Sequence, residues 1–278
     1  MEPAGIAAVT GASRGIGRAI ALELARRGFD VVATMRDPAA GAGMSDEAAE
    51  AGGRLRIQAL DVTRPDTVRL PDGLRVVVNN AGVEREHLPV EETPLELWRE
   101  MFETNVFGLV EVTRRAIPLV RAAGGGVICN IGSSSVLAPV PFYAAYRAGK
   151  AAVSAFSETL RAELAPQGIR VVEIMPGPVD SDMLRHSQET MVAPAGEPYR
   201  AVADHMNASK SMVASMIQPA GDAARLIVDA ILDDDGPMRY GCDPMSTGMI
   251  DAWRRTSDEE MMRGMIEQLV PEGAVRPR

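Results

Sequence analysis

A glycine-rich turn between an apolar run and an amphipathic helix constrains the fold of this chain more than any other feature. The apolar run covers residues 6–10, and residues 18–25 repeat apolar side chains at helical spacing. Between them stand Gly11, Gly15 and Gly17. Glycines let the backbone approach a pyrophosphate, and the N-terminus of the following helix offers N–H groups to its charge. The pattern predicts a dinucleotide site. The spacing differs from the usual Gly-x-Gly-x-x-Gly, so an ordinary turn is the alternative.

Strand-like and helical segments alternate along the chain. Apolar strand-like runs lie at residues 31–35, 55–60, 75–78, 127–131 and 169–175, and helical patterns at about 46–51, 94–121 and 146–165. Such alternation is typical of an α/β fold with a Rossmann-type doubly wound parallel sheet in three α/β/α layers. We expect a single domain over residues 1–278. Within it we expect a helical substrate-binding lid at about 182–216 and a C-terminal helical extension at about 243–278.

The composition argues against nucleic-acid, membrane and metal-binding roles. No apolar run approaches the roughly 18 residues that a membrane helix needs. The net charge is −9, whereas binding to a phosphate backbone requires a positive surface. The N-terminus lacks the basic region of a signal peptide. Two cysteines indicate neither a disulfide framework nor a zinc site, so we expect a cytoplasmic protein without a metal. Three histidines lie in loop-like or polar contexts with no carboxylate-supported cluster, and we interpret them as surface or pocket-wall residues and not as metal ligands: His87, His186 and His205.

Tyr146 and Lys150 stand four residues apart, so a helix would place them on one face, about one turn apart. Lys150 is one of only two lysines among 29 basic residues. An ammonium beside the phenol would favour phenolate and lower the pKa of the tyrosine from about 10 toward neutrality. The phenol would then act as a proton donor and acceptor. Pairs at this spacing also arise by chance, so the interpretation depends on the rest of the chain.

The chain resembles the short-chain dehydrogenase/reductase family, in its compact single-domain branch. The shared motifs follow the family's order and approximate spacing: Thr10-Gly11-x-x-x-Gly15-x-Gly17, Asn79-Asn80-Ala81-Gly82, Asn105, Ser133, Tyr146-x-x-x-Lys150 and Pro176-Gly177. The resemblance implies an oxidoreductase that interconverts an alcohol and a carbonyl compound with a nicotinamide dinucleotide. In motif detail the chain is most similar to hydroxysteroid and retinol dehydrogenases.

The resemblance assigns four residues to catalysis. Tyr146 would be the proton source, and Lys150 would lower its pKa and contact the ribose of the cofactor. Ser133 would orient the substrate oxygen. Among three consecutive serines it is the one that precedes the tyrosine by 13 positions and follows the strand-end asparagine by three, as in similar enzymes. Asn105 would hold a water molecule beside the lysine and complete a proton relay.

The resemblance also implies a set of cofactor contacts from four turns, together with Tyr146 and Lys150. They are Gly11, Ser13, Arg14, Gly15, Ile16 and Gly17 at the pyrophosphate, Asp61 and Val62 at the adenine, Asn80, Ala81 and Gly82 on the adenosine side, and Pro176, Gly177, Val179 and Ser181 at the nicotinamide. Ser181 stands where the family more often has threonine.

The choice of cofactor depends on the end of the second strand. A carboxylate there accepts hydrogen bonds from the ribose and repels a 2′-phosphate, whereas an arginine attracts the phosphate. Met35 occupies the position of that carboxylate, and Arg36 follows, with Arg14 as a second positive charge. Asp37 could also contact the ribose, but we interpret it as a cap of the loop at Pro38. We therefore predict NADP(H) over NAD(H).

Residues 183–216 are rich in methionine, which is typical of surfaces that adapt to apolar ligands. Core positions of two lid helices are the alternative interpretation. We expect a bulky, mostly apolar ketone or secondary alcohol, contacted by Ser135, Tyr143, Met183 and Met191. A packing role for Tyr143 is equally open, since arginine and not lysine lies four residues beyond it.

Several other functions share these motifs. The closest alternatives are a 3-oxoacyl-thioester reductase and an NAD-dependent dehydrogenase, followed by a non-redox dehydratase or epimerase of the same family. A non-catalytic dinucleotide-binding sensor is more remote, because such relatives usually lack the tyrosine or the lysine. Similar enzymes pair through their two long helices, so the expected partners are a small-molecule substrate and further copies of the chain in a homodimer or homotetramer.

Overall fold

In the computed structural model, which describes residues 1–189 and 198–269, seven parallel strands form one sheet. The strands lie side by side in the order β3-β2-β1-β4-β5-β6-β7. Their bounds are β1 Ile6–Val9, β2 Asp30–Met35, β3 Arg54–Ala59, β4 Leu74–Asn79, β5 Gly126–Ile131, β6 Ile169–Ile174 and β7 Arg239–Tyr240. The central strands are continuous runs of buried apolar residues, as expected of a parallel sheet covered on both faces. The predicted doubly wound α/β fold is confirmed.

Helices cover both faces of the sheet. They are α1 Gly15–Arg27, α2 Met44–Glu50, α3 Leu95–Phe102, α4 Leu109–Ala122, α5 Ala144–Leu164, α6 Asp182–Glu189, α7 Arg200–Ala214, α8 Ala220–Leu232, α9 Pro244–Trp253 and α10 Asp258–Leu269. One core joins the sheet to α1, α2 and α8 through side chains such as Ile20, Leu24 and Ile227. A second core on the opposite face joins it to α4 and α5, through side chains such as Val112 and Leu160.

The strand order reverses beside β1, and this reversal places the site. The chain runs outward from β1 through β2 to β3 and then returns to the other side of β1 as β4. The loops after β1 and β4 therefore diverge at the carboxyl ends of the strands and leave a crevice, which is where such sheets bind ligands.

The long helix predicted at residues 94–121 contains a π-helical segment. Between α3 and α4, residues Glu103–Gly108 follow the wider π-helical hydrogen-bonding pattern. Asn105 lies within this segment and is buried. Single π-helical turns inside α-helices occur frequently at functional sites, because they redirect individual side chains.

The predicted lid and C-terminal extension are helical where the structure describes them. Helices α6 and α7 lie in the first region, whereas residues 190–197, including the predicted contact Met191, lie outside the described residues. In the second region, Ser257 caps α10: its hydroxyl accepts a hydrogen bond from the Glu260 N–H at 3.3 Å. Among the helices described, none combines the length and the hydropathy required to cross a bilayer.

Candidate active site

A cavity of about 690 Å³ opens at the carboxyl ends of the strands, within the size range of small-molecule sites. Every predicted cofactor contact lines it, as do Ser133, Ser135, Tyr143, Tyr146, Lys150 and Met183. Asn105 is buried behind the wall of the cavity instead of lining it. The loops after β1, β4, β5 and β6 thus bring together residues that are far apart in the sequence.

The glycine turn after β1 packs so closely against the Asn-Asn-Ala-Gly turn that side chains do not fit between them. A Cβ at Gly17 would lie 2.2 Å from Asn80 Nδ2, and one at Gly11 would lie 2.8 Å from the Cα of Ala81. Helix α1 follows directly, and Arg14 at its N-cap makes no side-chain hydrogen bond to the first turn. No side chain therefore caps the N–H groups of that turn, and the residues present fit a pyrophosphate at the helix N-terminus.

The Asn-Asn-Ala-Gly turn ties this glycine turn to the sheet. Asn80 Nδ2 donates hydrogen bonds to the carbonyl oxygens of Thr10 at 2.9 Å and Gly11 at 3.1 Å. Asn79 Nδ2 donates to Asn130 Oδ1 on β5 at 2.8 Å. The turn therefore also fixes the ends of β1, β4 and β5.

The end of β2 presents one exposed cation to the cavity. Arg36 makes no ion pair or hydrogen bond with any residue that the structure describes. Arg14 Nε instead lies 3.4 Å from the Asp182 carboxylate. The Asp37 carboxylate accepts a backbone N–H at 3.0 Å and caps the short helix Pro38–Gly41. The interpretation of Asp37 as a cap is confirmed.

Tyr146 and Lys150 lie on one face of α5 and point toward the sheet. Lys150 is buried, and its Nζ donates a hydrogen bond to the carbonyl oxygen of Ile131 at 2.8 Å. The same Nζ lies 5.9 Å from the centroid of the Tyr146 ring. Burial lowers the pKa of Lys150 to about 8, while the charges of Glu173 and Glu84 act in the opposite direction. The predicted one-face geometry is confirmed.

The predicted lowering of the tyrosine pKa is wrong for this structure. Burial raises the pKa of Tyr146 well above its ordinary value, and the charge of Glu84 raises it further, whereas the neighbouring Ser133 hydroxyl opposes the shift. Lys150 does not offset this, because its ammonium lies over the ring and donates to a backbone carbonyl.

The three serines after β5 separate into different environments. Ser133 and Ser135 line the cavity, and their hydroxyl oxygens are 2.9 Å apart. Ser134 is buried, and its N–H donates to the Pro176 carbonyl oxygen at 2.9 Å. Arg147 holds the turn through a hydrogen bond from Nε to the Ser135 carbonyl oxygen at 2.6 Å. Ser134 is therefore a turn former, and the assignment of Ser133 as the serine that meets a substrate oxygen stays a prediction.

Asn105 clamps the loop that follows the Asn-Asn-Ala-Gly turn. Its Oδ1 accepts the Val83 N–H at 2.8 Å, and its Nδ2 donates to the Val83 carbonyl oxygen at 2.8 Å. This structural role was not foreseen from the sequence. The water-holding role that the resemblance assigns to Asn105 stays a prediction.

His87 corrects the interpretation of the histidines. It is 4% exposed, its Nε2 lies 2.6 Å from Glu84 Oε1, and its ring stacks on Tyr143 with centroids 3.8 Å apart. His87 is therefore a buried residue with a carboxylate partner. Residues 81–89 form no helix, so the three-residue spacing of Glu84 and His87 gave no sequence signal for this contact. Of the other two histidines, His186 lines the cavity and His205 bonds a backbone carbonyl.

The substrate end of the cavity has mixed character. The hydroxyl of Tyr143 lies 3.3 Å from Ser187 Oγ, and burial raises the pKa of Tyr143 to about 12. Just before Tyr143, Phe142 has a φ of +69°, a strained conformation for a bulky residue. Met183 and Leu184 of α6 add apolar surface. Of the predicted substrate contacts, only Met191 lies beyond what the structure describes.

A buried aspartate at the start of α9 supports the turn predicted to meet the nicotinamide. Asp243 accepts the N–H of Gly177 at 2.7 Å and also the N–H of Ser246, which caps α9. Ser181 similarly caps α6, because its hydroxyl accepts the Leu184 N–H at 3.2 Å. Sequence reasoning missed Asp243, since 66 residues separate it from the turn that it holds.

The surroundings of the two cysteines indicate a packing role. Cys129 and Cys242 are free and buried, and burial raises the pKa of both thiols. Within residues 1–189 and 198–269, no cluster of three or more His, Cys, Asp or Glu side chains is placed to hold a metal ion.

A family model described as short chain dehydrogenase matches residues 5–192. The chain belongs to this family. Among curated relatives, it is 40% identical over 181 residues to an uncharacterized oxidoreductase, YusZ, of Bacillus subtilis, across 62% of this chain and 64% of that one. It is 39% identical over 181 residues to estradiol 17-beta-dehydrogenase 2 of Rattus norvegicus, across 61% of this chain and 46% of that one. The chain thus spans less than two thirds of these relatives.

Solved structures of short-chain dehydrogenases share the whole fold. One from Burkholderia cenocepacia in complex with NADP superposes with a TM-score of 0.75 at 26% identity, covering 98% of this chain and 100% of that one. Another from Burkholderia phymatum in complex with NAD has a TM-score of 0.74 at 25% identity, covering 91% of this chain and 93% of that one. Both nicotinamide cofactors therefore occur among the neighbours.

Proposed function

We propose that this protein is an NADP(H)-dependent oxidoreductase that interconverts a ketone and a secondary alcohol on a bulky, mostly apolar substrate. The observation that carries the proposal is the convergence of an uncapped helix N-terminus, the Ser133 and Tyr146 hydroxyls and the Lys150 ammonium in one cavity. A pyrophosphate site at one end and hydroxyl donors at the other suit transfer of hydride to a polarised carbonyl.

The residues of the chain supply the acid–base chemistry. A bound NADPH would supply the hydride that reduces the carbonyl carbon and would leave as NADP⁺. Ser133 donates a hydrogen bond to the carbonyl oxygen, and Tyr146 donates the proton that completes the alcohol. Since the pKa of Tyr146 is raised, its phenol is protonated at neutral pH, which is the form that reduction consumes. Lys150 would hold the ribose, and the proton would return to Tyr146 through the relay that the resemblance assigns to Asn105.

The preference for NADP(H) is supported by the charges around the adenosine ribose. Met35 lies where an NAD-selecting carboxylate would stand, and Arg36 beside it is exposed to the cavity. Asp37 is engaged as a cap. A 2′-phosphate would therefore meet a guanidinium and no competing carboxylate at the end of β2.

The substrate class is supported by apolar side chains at the substrate end of the cavity and by the ion pairs of a nearby arginine. Met183 and Leu184 line that end, and a relative is named for estradiol. Arg185 forms ion pairs with Asp180 and Asp182, and these carboxylates compete with a phosphorylated acyl carrier for its guanidinium. A 3-oxoacyl-thioester reductase and an NAD-dependent dehydrogenase are the alternatives.

The test is a coupled assay of the purified protein with NADPH and with NADH. Cyclic and aryl ketones are compared with an acetoacetyl thioester by kcat/KM, and Tyr146→Phe serves as the inactive control. We expect NADPH oxidation with the bulky ketones. A clear advantage for the thioester would move the protein toward the acyl-chain reductases. Cofactor binding without any absorbance change would favour a sensor or a non-redox member of the family.

The proposal includes a cytoplasmic homodimer or homotetramer that pairs through the two long helices, α4 and α5. Phe107, 58% exposed in the same helical run as α4, is an apolar residue that such pairing would cover. Sedimentation of the wild-type protein and of Phe107→Ser would test this arrangement. A wild-type protein that sediments as a monomer would refute it.

A further inference from the structure

The carboxylate of Glu84 lies in the same cavity as the proposed catalytic hydroxyls, two residues after the Asn-Asn-Ala-Gly turn. Its side chain is only 11% exposed. Oε1 lies 2.6 Å from His87 Nε2 and accepts a 3.4 Å hydrogen bond from Ser187 Oγ. Oε2 has no hydrogen-bond partner among the residues described. A nearly buried carboxylate therefore keeps one oxygen available to a ligand.

The surroundings of Glu84 hold it in place. His87, the partner of Oε1, is itself buried and stacked on Tyr143, and its Nδ1 has no partner within the described part of the chain. The preceding residue, Val83, is fixed at both its N–H and its carbonyl oxygen by Asn105. Because backbone and side chain are both restrained, the position of the carboxylate is set before a substrate enters.

No described arginine or lysine forms an ion pair with this carboxylate. Arg85 pairs with Glu100, Arg147 donates to backbone carbonyl oxygens, and Lys150 donates to Ile131. The charge of Glu84 reaches the proposed catalytic pair, since it raises the pKa of both Tyr146 and Lys150. A carboxylate that is partly removed from water strongly favours a ligand that donates a hydrogen bond to it and penalises one that carries negative charge.

We propose that Glu84 determines substrate specificity. It selects ketones or alcohols that carry a hydrogen-bond donor, either a hydroxyl or an ammonium group, at a distance from the reacting carbon. It rejects analogues that carry a carboxylate there. The inference rests on the proposed function and narrows its substrate class. The substrate would be a mostly apolar molecule with a hydrogen-bond donor at the end that contacts Glu84. A site built to pair with a polar group discriminates more strongly than an apolar pocket does.

The test uses four aryl methyl ketones that differ only at the para position, which bears hydroxymethyl, aminomethyl, ethyl or carboxyl. The kcat/KM of each is measured with NADPH for the wild type, Glu84→Gln and Glu86→Gln. Glu86 is the matched control because it lies in the same loop, loses the same charge and is exposed. We expect the wild type to favour the two donor-bearing ketones over the ethyl ketone, with the carboxyl ketone the poorest.

In Glu84→Gln the ratio of aminomethyl to carboxyl substrates should fall by about 10- to 100-fold, as for loss of a charged hydrogen bond, and Glu86→Gln should retain the wild-type order. The hydroxymethyl ketone separates hydrogen bonding from charge, because it is uncharged. The wild type should favour it over the ethyl ketone only if Glu84 accepts a hydrogen bond from the substrate hydroxyl. Equal ratios in the wild type and Glu84→Gln would overturn the proposal. A wild type that favours the ethyl or the carboxyl ketone would also overturn the proposal. This measurement uses the wild type alone, so it does not depend on whether a variant folds. If the wild type reduces none of the four or any other ketone, the proposed function itself fails.

Discussion

The nucleotide-facing and substrate-facing halves of the cavity are built by different means. In the nucleotide-facing half, the backbone forms the surface: the glycine turn approaches Asn80 and Ala81 so closely that no side chain fits, and α1 presents its first turn. In the substrate-facing half, side chains from distant parts of the chain form the surface. Glu84 and Ser187 meet there across 103 residues of sequence.

This difference shows which part of a site a sequence can specify. A backbone surface depends on residues that are adjacent in the chain, so a short motif contains nearly all of its information. A surface made of side chains depends on which loops come into contact in the fold. The sequence motif of one loop does not indicate which other loops it will contact. Cofactor contact and substrate choice are therefore separable properties in this molecule, and mutations should affect them separately.

The largest effect is expected where the two halves meet, at Tyr146. Tyr146→Phe removes the proposed proton donor and keeps the ring, so kcat for ketone reduction should fall by about 10²- to 10⁴-fold while NADPH binding is retained. Tyr143→Phe, which keeps the ring stacked on His87, is the control and should lose far less. A near-normal kcat in Tyr146→Phe together with an inactive Tyr143→Phe would reverse the roles of the two tyrosines.

A smaller effect, confined to the nucleotide-facing half, is expected at Arg36. Arg36→Ala should weaken NADPH binding by about 1.5–3 kcal/mol, the contribution of hydrogen bonds to charged groups, and leave NADH nearly unchanged. Fluorescence titration of both cofactors measures this. Arg56→Ala is the matched control, because Arg56 is exposed on neighbouring β3 and does not line the cavity. Equal losses for the two cofactors would mean that Arg36 does not contact a 2′-phosphate.

Substitution of Glu84, in the substrate-facing half, is expected to shift the pH profile of alcohol oxidation. Alcohol oxidation requires Tyr146 as a base, so its rate rises with pH through the pKa of that phenol. The charge of Glu84 raises this pKa, after burial as the main cause. Glu84→Gln should therefore move the rise of kcat/KM to lower pH. Glu86→Gln should leave the profile in place, and a profile unmoved in Glu84→Gln would show that the two halves are not coupled through this charge.

The smallest effect is expected at Asp37. Asp37→Ala removes the cap of the short helix Pro38–Gly41 and should lower the free energy of unfolding by about 0.5–1 kcal/mol, measured by urea denaturation. The ratio of NADPH to NADH affinity should not change. If NADH binding is lost instead, Asp37 and not Arg36 contacts the ribose, and the preference for NADP(H) would have to be abandoned.

Much of the fold could be predicted from the sequence. Continuous apolar runs and helical periodicity located β1 to β6, α1, α2, α5 and the long helix that contains α3 and α4 within a few residues, because burial on both faces of a parallel sheet leaves a strong pattern. Helix α8 and strand β7 were not predicted. The π-helical segment was not predicted. Periodicity marks residues 94–121 as helical, but the hydrogen-bond spacing inside that helix depends on how Asn105 packs against the loop at Val83.

The candidate site was predictable where local motifs form it, and less so elsewhere. The tyrosine–lysine geometry followed from helical spacing, whereas the pKa of Tyr146 did not, because it depends on burial and on Glu84 from another loop. His87 was misjudged for the same reason: its stacking on Tyr143 joins two loops that no sequence pattern connects. Asp243 supports Gly177 from a region where the family motifs end.

The π-helical segment at Asn105 holds one residue more than an α-helix would place in the same turn. Deletion of one residue among Glu103–Gly108 would therefore permit an uninterrupted α-helix in which Met101 and Val112 still face the interior. The deletion would instead change the direction of the Asn105 side chain, whose amide binds both polar backbone groups of Val83. The extra residue thus serves the active-site loop, and the core contacts of the helix do not require it.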